Sequence, residues 1–310
     1  MIVKVKNLVK RYGEKIALDH FNMAVEEGEI LGLLGPNGCG KTTAINCILS
    51  LLNFDKGEIE VFGKKMTSNS YDIKRQIGLV PQEVSVFENL TVRENIDYFC
   101  GLYIDDKAIR KEYVDEAIEF VGLKGYEKFY PKKLSGGLKR RLNIACGIAH
   151  KPKLIFLDEP TVAVDVQSRN FILEGIKKLN REGSTIIYTT HYLEEAEMLC
   201  SRVIIMDNGK DIASGTTEDL KAMITTSEKV VVSFLNAEDE ILGKLRKIPH
   251  VIDIDRNGDD FIIKFENGTN NLTNLLNFIA ENNLTYTKLY SKQPTLNDVF
   301  LELTGKELRD

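Results

Sequence analysis

The sequence has few cysteines, no long apolar run and no strong excess of either charge. Its five cysteines are scattered and include no C-x-x-C pair, which argues for reduced thiols and against a disulfide framework or a zinc site. No apolar segment approaches the roughly 18 residues that would indicate a membrane-spanning helix. The net charge of −5, with a pI near 5.6, carries no global signature of nucleic-acid binding. We therefore expect a cytosolic protein, and the alternating residues 2–6 are typical of a strand rather than a signal peptide.

The remaining composition is that of a soluble globular protein, and its 310 residues suit one large domain or two ordinary ones. The pattern changes near residue 226, so we predict an α/β domain over residues 1–225 and a small α+β domain over residues 226–310. The second domain follows the order β-α-β-β-α-β plus one helix, which matches a ferredoxin-like fold. Its predicted segments are strands at 230–234, 251–254 and 261–265, an extended stretch at 284–289, and helices at 238–247, 272–279 and 295–303.

Residues 35–42 fit the phosphate-binding pattern G-x-x-x-x-G-K-[ST]. An apolar run before them predicts a buried strand and residues 42–49 predict a helix, which is the context that this P-loop requires. The glycines let successive N–H groups converge on one anion, and the helix N-terminus adds partial positive charge. Lys41 can reach the β- and γ-phosphates, and the Thr42 hydroxyl can ligate Mg²⁺. The alternative is a chance glycine-rich turn, against which the matching flanks argue.

A mostly helical insertion is predicted from about residue 84 to residue 150. Thr91 and Glu94 form a T-x-x-E capping box that opens one helix of this insertion. Ser135 is a good N-cap for a later helix, and the two glycines after it leave backbone N–H groups open to an anion. Residues 139–141 are basic and could suggest nucleic acid, but three basic residues on a helix are usually a solvated face.

Several polar side chains follow apolar runs that are predicted as strands. Ligands of an α/β sheet bind outside the carboxyl ends of its strands, so one site can collect these side chains. Asp158 and Glu159 are adjacent and are expected to point in different directions at the strand end. The residues expected to meet are Lys41, Gln82, Asp158, Glu159 and His191.

The motifs, in this order, resemble the nucleotide-binding subunit of an ABC transporter over roughly residues 1–220. The resemblance implies a P-loop NTPase fold with ATP and Mg²⁺ as cofactors. It makes residues 35–43 the Walker A motif and residues 134–137 the signature motif, which closes on the ATP of the opposite subunit. The nucleotide-binding residues implied are Tyr12, Gly35, Pro36, Asn37, Gly38, Cys39, Gly40, Lys41, Thr42, Thr43, Gln82, Ser135, Gly136 and Gly137.

The same resemblance implies roles for the acidic strand end and its neighbours. Glu159 would polarise the attacking water, with His191 near the γ-phosphate and Lys41 on the phosphates. Asp165 would lie in the D-loop at the dimer interface. The Tyr12 ring would stack on adenine, although an aromatic residue at a strand end is otherwise interpreted as packing. The implied Mg²⁺ ligands are Thr42, Gln82 and, through water, Asp158.

Three positions depart from the family pattern. Leu138 follows the signature where many relatives have Gln, and residues 161–166 lack the common Gly-Leu-Asp-Pro although Asp165 is kept. These departures leave the phosphate-binding residues intact. They concern instead the coupling between the two subunits of the implied dimer. Cys39 lies in the P-loop, where oxidation of a low-pKa thiol could block ATP binding; the alternative is a small space-filling side chain.

The resemblance implies an ATPase subunit that drives separate transmembrane permease subunits and does not bind nucleic acid. One P-loop and one signature per chain imply a homodimer, or a heterodimer with a related ATPase, attached peripherally to the inner face of the cell membrane. Residues 293–301 look like the tail of ATPases in drug, antibiotic or lipid exporters, which favours export. One alternative is a soluble ABC ATPase of translation or DNA repair, which usually carries two such domains or a long coiled-coil insertion. Another is a module that binds ATP without hydrolysing it, against which Glu159 and His191 argue.

Overall fold

The computed structural model describes residues 1–235, 241–266 and 270–305, without the side chain of Ser227. The described chain divides into two compact units, Met1–Gly215 and a second that begins at Thr216. The domain boundary predicted above, after residue 225, stays a prediction. Each unit has its own sheets and its own hydrophobic core, and each is described by itself.

The first unit alternates strands and helices along the chain, as the sequence predicts. Its strands are β1 (Val3–Tyr12), β2 (Lys15–Val25), β3 (Ile30–Leu34), β4 (Lys56–Val61), β5 (Lys64–Lys65), β6 (Ile77–Val80), β7 (Leu154–Asp158), β8 (Thr185–Thr190), β9 (Arg202–Asp207) and β10 (Lys210–Gly215). Its helices are α1 (Lys41–Ile48), α2 (Tyr71–Lys74), α3 (Val92–Gly101), α4 (Lys107–Phe120), α5 (Gly136–Ile148), α6 (Val166–Arg181) and α7 (Leu193–Leu199), with a 3-10 turn at Pro131–Lys133.

A six-stranded sheet in the order β10-β9-β3-β8-β7-β6 positions the site. Strands β9, β3, β8, β7 and β6 run parallel to their neighbours, and only β10 pairs antiparallel. Every residue of β3, β7 and β8 is buried, which explains why β3 and the first four residues of β7 are continuous apolar runs in the sequence. Because parallel strands end at one edge, the residues after β3, β6, β7 and β8 lie close together.

A second sheet, β2-β1-β4-β5, is antiparallel and shares one core with the first. The core cluster contains Val3 and Phe21 from this sheet, Phe156 and Ile204 from the larger sheet, and Ile45 from α1. Helix α1 is therefore held by apolar contacts from both sheets. This packing fixes the start of α1, where the P-loop ends.

The chain between β6 and β7 carries three helices, which is the predicted helical insertion. The Thr91 side chain caps α3, and Glu94 completes the capping box. The carboxylate of Asp106 caps α4, and the Ser135 hydroxyl caps α5 as the sequence predicts. Each of these N-caps satisfies backbone N–H groups that the helix leaves without a partner.

The second unit is a four-stranded antiparallel sheet with helices. Its elements are α8 (Thr217–Ala222), β11 (Thr226–Phe234), α9 (Ile241–Leu245), β12 (Val251–Asn257), β13 (Asp260–Glu266), α10 (Asn271–Glu281), β14 (Tyr286–Lys292) and α11 (Leu296–Thr304). The order β12-β13-β11-β14 is that of a ferredoxin-like fold, with the last strand beside the first. The helix predicted at 238–247 is described only from residue 241, because residues 238–240 lie outside the described chain. The core joins the sheet to α9 and α10 through Val232, Phe261, Leu245 and Leu275.

The described helices are too short or too polar to cross a bilayer. The longest of them, α6, has 16 residues, and none among the described residues combines the length and hydropathy of a membrane span.

Candidate active site

The P-loop lies between β3 and α1, and its backbone needs glycine at the end of the loop. Gly40 caps α1 with a φ of 114°, in the left-handed region that other residues rarely adopt. Its position is also crowded, because a Cβ there would lie 2.7 Å from the Ala17 carbonyl oxygen. The loop thus presents the N-terminus of a well-packed helix as an anion site.

Lys41 is the first residue of α1, and its side chain folds back into the loop. Its Nζ donates hydrogen bonds to the carbonyl oxygens of Gly35 at 2.7 Å and Pro36 at 3.3 Å. The same ammonium lies 3.1 Å from Glu159 Oε1, and both side chains are almost completely buried. Lys41 therefore connects the P-loop directly to the acidic end of β7.

Asp158 is the last residue of β7, and its carboxylate is held on both sides. Its Oδ2 accepts a hydrogen bond from Thr42 Oγ1 at 2.8 Å, and its Oδ1 accepts one from Thr189 Oγ1 at 2.6 Å. Thr189 Oγ1 also accepts from the Glu159 N–H at 3.0 Å. One threonine of β8 thus fixes both acidic residues of the β7 end. No sequence motif identifies Thr189 as a residue of the site. Only the pairing of β7 with β8, which sets Thr189 beside Asp158, identifies it.

Glu159 is the residue on which the site converges. Its Oε2 accepts a hydrogen bond from Gln82 Nε2 at 3.3 Å and lies 3.2 Å from His191 Nδ1. Its Oε1 is the partner of Lys41. The side chains of Asp158 and Glu159 point in different directions, as expected. The cause, however, is not the alternation of side chains along a strand. Glu159 stands just beyond the strand with a φ of +46°, an uncommon conformation that turns its side chain toward Lys41.

Comparison with known proteins gives the family. The ABC transporter family model matches residues 18–162, and a model described as the ATP-binding protein DrrA1-3-like, C-terminal domain matches residues 215–304. The linearmycin resistance ATP-binding protein LnrL of Bacillus subtilis (strain 168) is 37% identical over 100% of both chains. The chain belongs to the ATP-binding subunits of ABC transporters. The daunorubicin resistance ATP-binding protein DrrA2 of Streptomyces coeruleorubidus is 34% identical over 98% of this chain and 95% of its own.

Solved structures agree with this assignment for the first unit. The ATP-binding subunit of an ABC transporter superposes with a TM-score of 0.66 at 27% identity, covering 72% of this chain and 93% of that one. A dimeric ATP-binding cassette in a post-hydrolysis state, bound to ADP and Pi, gives a TM-score of 0.64 at 28% identity, with 69% and 98% coverage. The predicted fold class and the prediction of an ABC-type ATPase are confirmed, and cassettes of this family dimerise.

Other predicted site residues of this ABC ATPase lie away from the Glu159 cluster. The Tyr12 ring is half-exposed at the end of β1, and Lys10 Nζ lies 5.1 Å from its centroid. Ser135 caps α5, so the signature begins a helix N-terminus. Asp165 caps α6 by accepting hydrogen bonds from the Ser168 N–H at 2.8 Å and the Ser168 hydroxyl at 2.9 Å. The described hydrogen bonds of Ser135 and Asp165 are thus local caps within their own segments.

The signature segment packs closely against the start of α6. A Cβ on Gly137 would lie 2.2 Å from Ser168 Oγ and 3.0 Å from Asp165 Oδ2. A larger residue at position 137 would therefore collide with the side chains of Ser168 and Asp165. The signature and the D-loop of one chain are therefore in direct contact, which the sequence does not predict.

Cys39 is a buried residue of the P-loop, 4% exposed. Burial raises the pKa of its thiol, and the nearby Lys41 ammonium opposes this only in part. A protonated and inaccessible thiol is a poor target for oxidants. The geometry therefore supports the small space-filling interpretation of Cys39 over the redox hypothesis.

The basic residues after the signature do not form a solvated face, so that prediction is wrong. Arg140 is only 6% exposed, and its Nη1 donates to the Pro81 carbonyl at 3.2 Å. The Arg141 guanidinium lies 4.0 Å from the centroid of the Phe171 ring, and Lys139 pairs with Glu88 at 2.8 Å. Helix α5 packs this side against the segment after β6 and against α6, where aliphatic stems and guanidinium planes fill space.

Asn143, one turn further along α5, is a residue that the sequence analysis missed. Its Oδ1 accepts from the Ser85 N–H at 3.0 Å, and its Nδ2 donates to the Pro81 carbonyl at 3.3 Å. The side chain therefore bridges both ends of the loop that carries Gln82. Asparagine has no local signal for such a role, because its partners are about 60 residues away.

Proposed function

We propose that this protein is the motor subunit of an exporter. It binds and hydrolyses ATP at a dimer interface and drives separate transmembrane permease subunits from the inner face of the cell membrane. The convergence of Lys41, Gln82 and His191 on the buried carboxylate of Glu159 carries the catalytic part of this proposal. The names of relatives, which include linearmycin resistance, daunorubicin resistance and Nod factor export proteins, support outward transport.

The P-loop and the Tyr12 ring bind the nucleotide in this proposal. The N–H groups at the start of α1 and the Lys41 ammonium take the phosphates, because both offer positive charge at one buried place. The half-exposed Tyr12 ring supplies the aromatic surface on which adenine stacks in this proposal. Residues 35–43 form the loop, and the Gln82 amide is a further contact to the nucleotide in this proposal. Ser135, Gly136 and Gly137 serve the nucleotide of the opposite subunit.

Thr42, Gln82 and Asp158 fit a Mg²⁺ site. The Thr42 hydroxyl and the Asp158 carboxylate already meet at 2.8 Å, and both are hard oxygen ligands. Within the described residues, no group of three or more His, Cys, Asp or Glu side chains could hold a metal. ATPases bind Mg²⁺ with one or two carboxylates together with substrate phosphates, and Asp158 would supply one such carboxylate. Bound Mg²⁺ would neutralise charge on the phosphates during transfer.

Glu159 is the water-positioning base in this proposal. Phosphoryl transfer needs charge neutralisation and an aligned water more than covalent help. Gln82 and His191 both contact Glu159 Oε2, so they orient the carboxylate that holds the water. In this proposal His191 also contacts the transferred phosphate. A group in such a role contributes about 10²–10⁴-fold to the rate.

The chain contains one P-loop and one signature, so two chains are needed for complete sites. We propose a homodimer, or a heterodimer with a related ATPase, in which the signature of one chain closes on the ATP of the other. We propose that Asp165, which lies at the contact of the signature with α6, belongs to the D-loop at this dimer interface. The Gln82 loop, bridged by Asn143 to α5, passes the motion toward the permease.

Glu159→Gln is the first test of these roles. The variant keeps the size of the side chain but loses the carboxylate, so it should bind ATP, accumulate as an ATP-bound dimer and lose turnover. Phosphate release and gel filtration with and without ATP measure the two effects. Turnover near the wild-type rate would remove Glu159 from its role.

A pull-down from native membranes in mild detergent tests the proposed partners. Mass spectrometry should find a polytopic membrane protein at near-equal stoichiometry. Recovery only from the soluble fraction, with ribosomes or DNA, would reject the permease while leaving the ATPase chemistry intact.

A further inference from the structure

Glu195 is a buried carboxylate that does not belong to the proposed nucleotide site. It lies in α7 and is 2% exposed. Its Oε2 accepts three hydrogen bonds, from Thr161 Oγ1 at 2.9 Å, Tyr188 OH at 2.6 Å and Thr190 Oγ1 at 3.0 Å. Glutamate is rarely buried this deeply unless its carboxylate is paired, and here three hydroxyl groups are its partners.

The hydroxyl groups belong to the segments that carry the catalytic pair. Thr161 follows two residues after Glu159, and Thr190 immediately precedes His191. Thr190 Oγ1 also accepts a hydrogen bond from the Tyr192 N–H at 2.9 Å while it donates to the carboxylate. His191 is therefore the central residue of a short turn. The residues on either side of it, Thr190 and Tyr192, are joined by the Thr190 hydroxyl, which Glu195 holds in place.

A cation approaches the same turn from α6. Arg169 Nε lies 3.2 Å from Glu195 Oε1, as an ionic contact outside hydrogen-bond geometry. The Arg169 guanidinium also lies 4.4 Å from the centroid of the Tyr192 ring. Because α6 begins directly after Asp165, the carboxylate joins the D-loop helix to the turns of both catalytic residues.

We propose that Glu195 is a positioning residue that sets the place of His191 against Glu159. The His191 Nδ1 to Glu159 Oε2 distance is 3.2 Å, and keeping it requires an anchor between the turn after β7 and the turn after β8, in addition to the contact of Thr189 Oγ1 with the Glu159 N–H. Glu195 supplies that anchor through Thr161 and Thr190. This proposal rests on the proposed roles of Glu159 and His191.

Glu195→Gln is the decisive variant, because it keeps the shape and removes the charge. The amide has one acceptor oxygen, so it cannot reproduce the carboxylate's contacts with three hydroxyls and Arg169 together. We expect kcat to fall by about 10- to 100-fold, as misplacement of a reacting group does. The Kd for ATP should stay within about twofold, because the P-loop is untouched. Glu194→Gln, an exposed neighbour in the same helix turn, is the matched control and should behave as wild type.

A direct readout of His191 separates positioning from a purely structural role. The chain has four histidines, and His191→Ala assigns the imidazole signals of His191 in an NMR spectrum of histidine-labelled protein. Glu195→Gln should move the His191 signals and leave those of His20 and His250 in place. If Glu195→Gln does not fold, Thr190→Val removes one anchored hydroxyl at equal size and should give the same shift. An unchanged kcat, or a lost kcat with unmoved His191 signals, would overturn the proposal.

The experiments distinguish a failure of the proposed catalytic roles of Glu159 and His191 from a failure of the positioning role of Glu195. If His191→Ala and Glu159→Gln keep wild-type turnover, the proposed catalytic roles are wrong. If both variants lose turnover while Glu195→Gln keeps it, the roles stand and only the positioning by Glu195 is rejected.

Discussion

Val166 occupies the first helical position of α6, directly after the capping residue Asp165, and is 73% exposed. Proline suits the first helical position, and the local geometry accepts it. Asp165 has φ −67° and ψ 161°, the extended conformation that a residue before proline prefers. The N–H at the first helical position has no partner within the helix, so its loss carries no penalty there. We therefore expect Val166→Pro to stabilise the protein.

The expected gain comes from the unfolded chain, whose freedom proline reduces. Compatible substitutions of this kind contribute about 0.4–1 kcal/mol. For a cooperative unit the size of Met1–Gly215, this corresponds to a rise in Tm of about 1–4 °C. Calorimetry of the full chain, following the transition of the first unit, resolves a shift of this size.

Two further variants serve as controls for Val166→Pro. Val166→Ala removes the exposed apolar side chain without fixing the backbone, so it separates the two effects of proline. Ser168→Pro removes the N–H that donates to Asp165 Oδ1 at 2.8 Å, and it should destabilise the unit by about 1 kcal/mol or more. A lower Tm for Val166→Pro would show that α6 does not begin at this residue with Asp165 as its cap.

Two further predictions concern the adenine ring and pH. Tyr12→Ala should weaken ATP binding by about 1–3 kcal/mol because a stacking face is lost, whereas Tyr12→Phe should bind normally; equal titration curves for Ala and wild type would reject the stacking. Burial lowers the pKa of His150, which stacks on Tyr103 with 3.9 Å between ring centroids, so the folded protein holds it neutral. Its contribution to stability should be full above about pH 6.5 and decline as the pH falls through the lowered folded pKa. His150→Gln should flatten this decline in urea unfolding between about pH 6.5 and 5, and an unchanged slope would contradict the assignment.

Elements with strong local signals could be predicted from the sequence. The capping box of Thr91 and Glu94, the cap at Ser135 and the apolar runs of β3 and β7 all depend on residues within a few positions of one another. The β-α-β-β-α-β order of the second unit followed from the same kind of signal. The predicted roles of single site residues, by contrast, stay proposals until the variants above are measured.

Contacts between distant segments could not be predicted in the same way. Arg140 was expected on a solvated face because its neighbours are basic, yet the packing of α5 buries it against Pro81. Glu195 stands in an ordinary run of glutamates next to the exposed Glu194, and nothing local distinguishes the two. Only the meeting of α7 with β8 and the turn after β7 gives Glu195 three hydroxyl partners.

The sequence alone determined the chemistry that this ATPase can perform. The P-loop, the acidic strand end, the signature and the histidine are recognised by residue type and spacing, and these are local properties. The tertiary structure decided which atoms meet. The strand order β3-β8-β7-β6 brings the residues that follow each strand to one edge, and the positive φ of Glu159 turns its carboxylate to Lys41. Side-chain contacts across 30 to 150 residues depend on this packing, so no local pattern contains them.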